Sequence, residues 1–140
     1  MADHFPGADL GEIITDRSKA ITQECVVGSV AVVKGYVVAL EHYTLNMPKV
    51  VPANTAKAAV AIGVVTEYCD NGTGQIGERV LVVFKNAIVK VTAGVGGVTA
   101  GGKVQAIDTG KITAYVAAEK ILGTALHTMA ADDTGLLLLT

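Results

Sequence analysis

The chain has 140 residues and a net charge of −2, which is long enough for one domain with a real core. It contains only two arginines, Arg17 and Arg79, and its lysines are spread singly, so it lacks the clustered basic face that binds nucleic acid. No uncharged stretch approaches the roughly 18–20 apolar residues of a membrane span, and the N-terminus has no signal-peptide pattern. We therefore expect synthesis in a cytoplasm, with no nucleic-acid or membrane partner.

The chain is poor in charge for its size. Charged residues make up 17% of the sequence, below the usual quarter, while 51% is hydrophobic. A small monomer has too much surface to be covered by so few charges, so we expect copies or partners to cover part of it. The composition therefore favours an oligomer.

The first 24 residues carry five acids and two bases, a local charge of −3, whereas the rest of the chain sums to +1. They show neither a period of two nor a long helical stripe, so we interpret residues 1–24 as an extended N-terminal arm. A disordered tail is the alternative. Fully extended, such an arm reaches up to about 80 Å, enough to touch a neighbouring subunit. Its anchoring, partner-binding side chains would be Phe5, Leu10, Ile13 and Ile14.

Residues 25–140 predict an all-β domain, a small barrel or sandwich of short antiparallel strands. Short β-branched runs separated by turn residues are typical of such folds. They predict strands at 30–33, 36–40, 58–67, 79–85, 87–92, 104–107, 112–116, 121–129 and 136–139. Turns are predicted at 34–35, 70–74 and 108–111 from their glycine, asparagine and aspartate. Prolines and asparagines at 41–55 predict a long surface loop.

Two segments of this domain resemble each other. Residues 62–84 and 122–139 each read as a strand that contains a glycine, a polar loop and a second strand, which predicts a pseudo-symmetric barrel. The apolar run 136–139 lacks alternation, so it should be covered on both faces. A core strand that closes the barrel is favoured there over a strand between subunits.

The residues capable of catalysis form no recognisable site. The histidines show no metal-ligand spacing, and Asp132-Asp133 has the composition of an ordinary turn. The two cysteines are far apart, which favours buried free thiols over a disulfide. We expect no enzyme activity, no metal and no cofactor. The candidate catalytic or metal-binding residues are His4, His42, His127, Cys25 and Cys69.

Residues 60–140 contain a series of short motifs of small and β-branched residues. They are Gly63-Val64-Val65, Val89-Lys90-Val91-Thr92-Ala93, Gly97-Val98-Thr99-Ala100-Gly101, Asp108-Thr109-Gly110-Lys111 and Ile121-Leu122-Gly123-Thr124-Ala125-Leu126. In these motifs the chain resembles the capsid decoration, or cement, proteins of tailed bacteriophages and related viruses. The resemblance implies a small β-barrel that forms a homotrimer and binds the outside of a shell of major capsid protein, which it stabilises. The expected location is therefore the capsid exterior of a virion.

Two other interpretations remain open. A trimeric tail-fibre or baseplate component would have a similar composition, although such parts usually include a repetitive stalk. A small carrier domain for biotin or lipoate is less favoured: Lys111 lies near a predicted hairpin tip, but the methionines that flank a biotinylated lysine are missing.

Overall fold

The computed structural model describes residues 1–43, 47–66, 73–117 and 119–140. These residues confirm the all-β prediction. The strands of the first half are β1 (Ile21–Val27), β2 (Val32–Val33), β3 (Val37–Tyr43), β4 (Pro48–Pro52), β5 (Ala61–Val65) and β6 (Thr73–Gly74). Those of the second half are β7 (Arg79–Lys85), β8 (Ala87–Thr92), β9 (Lys103–Ile107), β10 (Lys111–Ala114), β11 (Gly123–Ala125) and β12 (Thr134–Leu139). Two short 3-10 helices cover Arg17–Lys19 and Thr55–Val60.

Five strands close into a barrel in the order β1-β4-β3-β5-β7. The β1–β4 pair is parallel and the other pairs are antiparallel. A barrel of five strands has a narrow interior, which small branched side chains can fill. The cluster inside it consists of Cys25, Val27, Val32, Val38, Val50, Val65, Val80 and Val82, with Ile62 and Phe84 packed against it.

The other five strands form an antiparallel sheet in the order β10-β9-β11-β12-β8. The sheet curls, so that its two ends approach each other at the bridge between Ala93 and Ile112. The strand β12 lies between β11 and β8 in this sheet and is mostly buried, so it is a core strand as favoured by the sequence. It does not close the barrel itself, which is completed by β7.

The barrel and the sheet share one apolar core. Valines on the outer face of the barrel, such as Val64 and Val83, belong to the same cluster as Val89 and Leu137 of the sheet. The central parts of β3, β5 and β7 have one row of side chains inside the barrel and residues of the other row, such as Val37, Val64 and Val83, against the sheet. These parts are covered on both faces, which explains their valines.

The strand predictions at 79–85 and 87–92 are confirmed to the residue by β7 and β8. The predicted hairpin at 108–111 joins β9 to β10. The strand predicted at 58–67 is shorter, because Thr55–Val60 form a 3-10 helix whose first turn is capped by the Asn54 side chain, 2.8 Å from the Lys57 nitrogen.

The prediction of a long loop over 41–55 is wrong for its central part. Strand β3 continues through Glu41, and β4 lies between β1 and β3 in the barrel wall. The two prolines of β4 stand at its ends, where a missing N–H costs little, while Val50 and Val51 between them are buried. The proposed arm boundary at residue 24 also changes, since β1 already begins at Ile21.

Cys25 is a buried free thiol inside the barrel, as expected, and burial raises its pKa to about 11. Its predicted counterpart Cys69 and the first part of the predicted turn at 70–74 lie outside the described residues.

The two segments that resemble each other in sequence are both antiparallel pairs, β5 with β7 and β11 with β12. Each has its glycine where the neighbouring strand comes very close. A Cβ at Gly63 would overlap the carbonyl oxygen of Val83, and one at Gly123 would overlap that of Leu138. Both pairs therefore need a glycine at this position for the same reason: a side chain would overlap the backbone of the neighbouring strand.

We predict that Gly123→Ala destabilises the chain by about 1–3 kcal/mol, because the added methyl group forces two backbone segments apart. Urea unfolding followed by circular dichroism measures the change. The matched control is Gly7→Ala, whose Cβ meets nothing within 4 Å and which should be neutral or slightly stabilising. Equal midpoints for both variants would contradict the close approach at Gly123.

Candidate functional site

The described residues contain no group of three or more histidine, cysteine, aspartate or glutamate side chains that could hold a metal ion. Nor do they include a helix of the length and hydropathy needed to cross a membrane. Polar side chains converge instead where residues 1–16, the N-terminal segment, lie on the sheet.

The N-terminal segment runs along β12 and β8. The His4 nitrogen donates to the Thr134 oxygen at 2.9 Å, and Asp3 forms a bridge with Thr134. Further along, the Gly11 nitrogen donates to the Lys90 oxygen at 2.9 Å, and Ile13 forms a bridge with Val89. The segment thereby covers the free edge of β8, which would otherwise present unpaired backbone groups.

Lys90 is the first anchor of this segment. Its side chain is only 4% exposed, and its ammonium lies 2.8 Å from Asp3 Oδ2, 3.0 Å from the Phe5 oxygen and 2.7 Å from the Ala8 oxygen. These three acceptors match the three N–H donors of a lysine. The Lys90 ammonium in turn holds the pKa of Asp3 below its usual value.

Asp133 is the second anchor. Its carboxylate accepts from the Ala2 nitrogen at 2.7 Å and the Ala130 nitrogen at 3.0 Å, and lies 3.2 Å from His4 Nε2. The Ala2 N–H first, then His4 and the Ala130 N–H, lower the pKa of Asp133 to about 2. Asp132 and Asp133 do lie in the predicted turn, but this role of Asp133 was missed, since its partners Ala2 and His4 lie 131 and 129 residues away in sequence.

His4 also stacks on His127, with ring centroids 5.7 Å apart and an angle of 20° between the planes. The Nε2 atom of His127 is buried and finds no hydrogen-bond partner. The third histidine, His42, has its side chain outside the described residues. The chain therefore brings together two histidines whose sequence spacing indicated no contact.

The four side chains predicted to bind a partner all lie in this segment, on the chain's own body. Ile13 is 7% exposed and belongs to the core shared by barrel and sheet, whereas Phe5, Leu10 and Ile14 are partly buried. That they bind another protein stays a prediction. The N-terminal segment lies close against β5 at Gly11, where a Cβ would lie 2.5 Å from the Val65 oxygen.

Large apolar side chains are exposed on several other parts of the chain. The described ones are Met1, Ile21, Val30, Val60, Ile76, Val95, Val116, Ile121 and Leu126.

No protein-family model matches the chain, and no curated protein matches it either. Among solved structures, the chain is similar to the N base of the head fibre protein gp8.5 of bacteriophage phi29, with a TM-score of 0.58 and 13% identity. The match covers 86% of this chain and 94% of that one. The two chains therefore share a fold across nearly their whole length.

We predict that Lys90→Met costs about 1.5–3 kcal/mol of stability, because the Phe5 and Ala8 carbonyls lose a charged donor. Amide hydrogen exchange should show faster exchange at Gly11 and Ile14, whose N–H groups pair with β8. The matched control is Lys103→Met, an exposed lysine of β9. Unchanged exchange at Gly11 and Ile14 would show that Lys90 does not hold the segment.

We also predict that Asp133 stabilises the folded chain in a way that is lost in acid. Its folded pKa of about 2 lies below the ordinary 3.8, so this carboxylate stabilises the chain above about pH 4 and loses that effect as the pH falls toward 2. Asp133→Asn should flatten the decline of unfolding free energy over this range, measured by urea titrations at stepped pH. Asp132→Asn is the control, because asparagine tolerates the φ of +69° at that position. The same slope in wild type and Asp133→Asn would contradict the assignment.

Proposed function

We propose that the chain is a structural protein of a bacteriophage virion, attached as a homotrimer to the outside of the head shell, which it stabilises. The observation that carries the proposal is the fold shared with the phi29 head fibre N base over 86% of the chain. The resemblance of residues 60–140 to capsid decoration proteins supports the same conclusion from sequence. Under this proposal the partners are two further copies and the major capsid protein, and no catalytic role is assigned.

The surface of the chain supports this proposal in physical terms. Exposed apolar side chains such as Val95 and Val116 belong to different parts of the chain, so several modest contacts are available rather than one large one. A trimer multiplies such contacts, because after one subunit attaches the others bind at a high effective concentration. Many weak contacts can then hold the protein firmly on a shell.

The N-terminal segment contributes to this surface in a different way from a free arm. Because Lys90 and Asp133 fix it to the sheet, Phe5, Leu10 and Ile14 are presented as part of an ordered face. Binding through an ordered face avoids the entropic cost that a disordered arm incurs when it orders on its partner.

A second candidate is the base of a fibre on the virion. It is favoured by one observation, that the similar solved structure is itself the N base of a head fibre. In that case the chain would also bind a fibre component, in addition to the shell.

We predict that the purified chain co-sediments with protein shells of its own virus that lack it, and that electron microscopy shows added density in groups of three on the outer surface. Light scattering tests whether the trimer already exists in solution. A folded chain that neither co-sediments nor adds outer density would overturn the proposal. Density for only one subunit per site would retain shell binding and reject the trimer.

A further inference from the structure

One end of the barrel contains an apolar cavity. Each of the five barrel strands contributes one large apolar side chain to its lining, so the cavity lies where the interior of the barrel opens to the surface. We name this opening the barrel mouth and define it by Ile21 (β1), Pro48 (β4), Leu40 (β3), Ile62 (β5) and Phe84 (β7).

The mouth is a continuation of the barrel core. Ile62 and Phe84 pack against the buried valines inside the barrel, but both remain partly exposed, and Ile21 is 43% exposed. The space between the lining side chains measures about 430 Å³. Cavities of this size, from roughly 300 Å³ upward, hold small ligands or the anchoring side chains of a partner.

The remaining lining residues are Lys85, Lys120 and Thr140. Lys85 and Lys120 lie at the cavity, and the Lys120 ammonium is fixed there by donating to the Ala61 oxygen at 2.7 Å. The described lining includes no acidic side chain, so the two lysine side chains place two positive charges beside the apolar cavity.

We propose that the barrel mouth is a docking site for an acidic segment of another protein that inserts a large apolar side chain, aromatic or branched, into the cavity. The cavity accommodates the apolar side chain, and the lysines attract the carboxylates beside it, which gives the site its orientation and partner preference. Apolar anchors that fill a partner's pocket dominate many protein interfaces. The partner is defined by this chemistry alone, so the inference does not depend on the proposed function.

Other occupants fit the observations less well. Two copies that meet mouth to mouth would bring Lys85 and Lys120 of each copy together, and like charges oppose that contact. The chain's own acidic N-terminal segment is occupied elsewhere, because Ile13 is buried in the core and Asp3 is bound to Lys90. A membrane surface requires projecting apolar side chains, whereas the mouth is concave.

The test uses isotope-labelled full-length chain and a short acidic peptide with one central phenylalanine, followed by NMR. We expect amide shifts at Ile21, Leu40, Ile62 and Phe84 that saturate at millimolar peptide. A peptide of the same length with Asn and Gln in place of the acids should bind about fivefold more weakly, as expected for the loss of two exposed ion pairs. A version with glycine in place of phenylalanine should cause no saturable shifts at the mouth.

Two sets of variants localise the binding. Ile21→Glu places a carboxylate at the mouth and should abolish binding, while Ile76→Glu, an exposed isoleucine outside the mouth, should leave it unchanged. Replacing Lys85 and Lys120 together by alanine should remove the preference for the acidic peptide, and Lys103→Ala should preserve it. Thermal melting confirms that each variant is folded.

Several results would overturn the inference. These are equal binding of acidic and neutral peptides, binding that survives Ile21→Glu, or no shifts at the mouth with any peptide. Self-association that Ile21→Glu removes would assign the mouth to a second copy instead. Co-sedimentation with vesicles of phosphatidylglycerol and phosphatidylcholine that Ile21→Glu removes would assign it to a membrane.

Discussion

The buried ammonium of Lys90 is the constraint on which the placement of the N-terminal segment on the sheet depends. A charged group cannot remain in the interior unless its donors find acceptors, and here the acceptors are Asp3 and the carbonyls of Phe5 and Ala8. The first residues of the chain must therefore cross the outer face of β8. Once they do, residues 11–14 pair with the free edge of that strand. One lysine thus converts a short acidic tail into part of the domain.

The same strand connects the two halves of the fold. On its inner face, Val89 and Val91 enter the core that the sheet shares with the outside of the barrel, while Lys90 points the other way. A shared core of this kind makes the barrel and the sheet one cooperative unit, because neither can expose its face without uncovering the other's. The narrow barrel interior is filled mainly by valines of the five barrel strands, together with Val32 of β2, and forms a second core.

Local patterns were enough to predict several of the strands, but not all of them and not the contacts between distant residues. The alternation in β8 and the turn at 108–111 are visible in a few neighbouring residues, so both were predicted correctly. Strand β4 was missed because Pro48 and Pro52 indicate a loop unless their positions at the strand ends are known. The anchors at Lys90 and Asp133 were missed for a different reason. Lysine and aspartate are usually solvent-exposed, and nothing near them in sequence shows what will cover them.

The fold explains where several of the charged groups lie, but it does not explain why large apolar side chains are exposed. Lys90 and Asp133 are buried charged groups that hold the N-terminal segment, and the exposed Asp3 pairs with Lys90. In a chain with few charges, this leaves still fewer for the surface, where side chains as large as Ile76 and Val95 are exposed. Internal packing cannot account for that exposure, because these residues contribute little to either core. To be covered, these side chains would need contacts beyond the described residues.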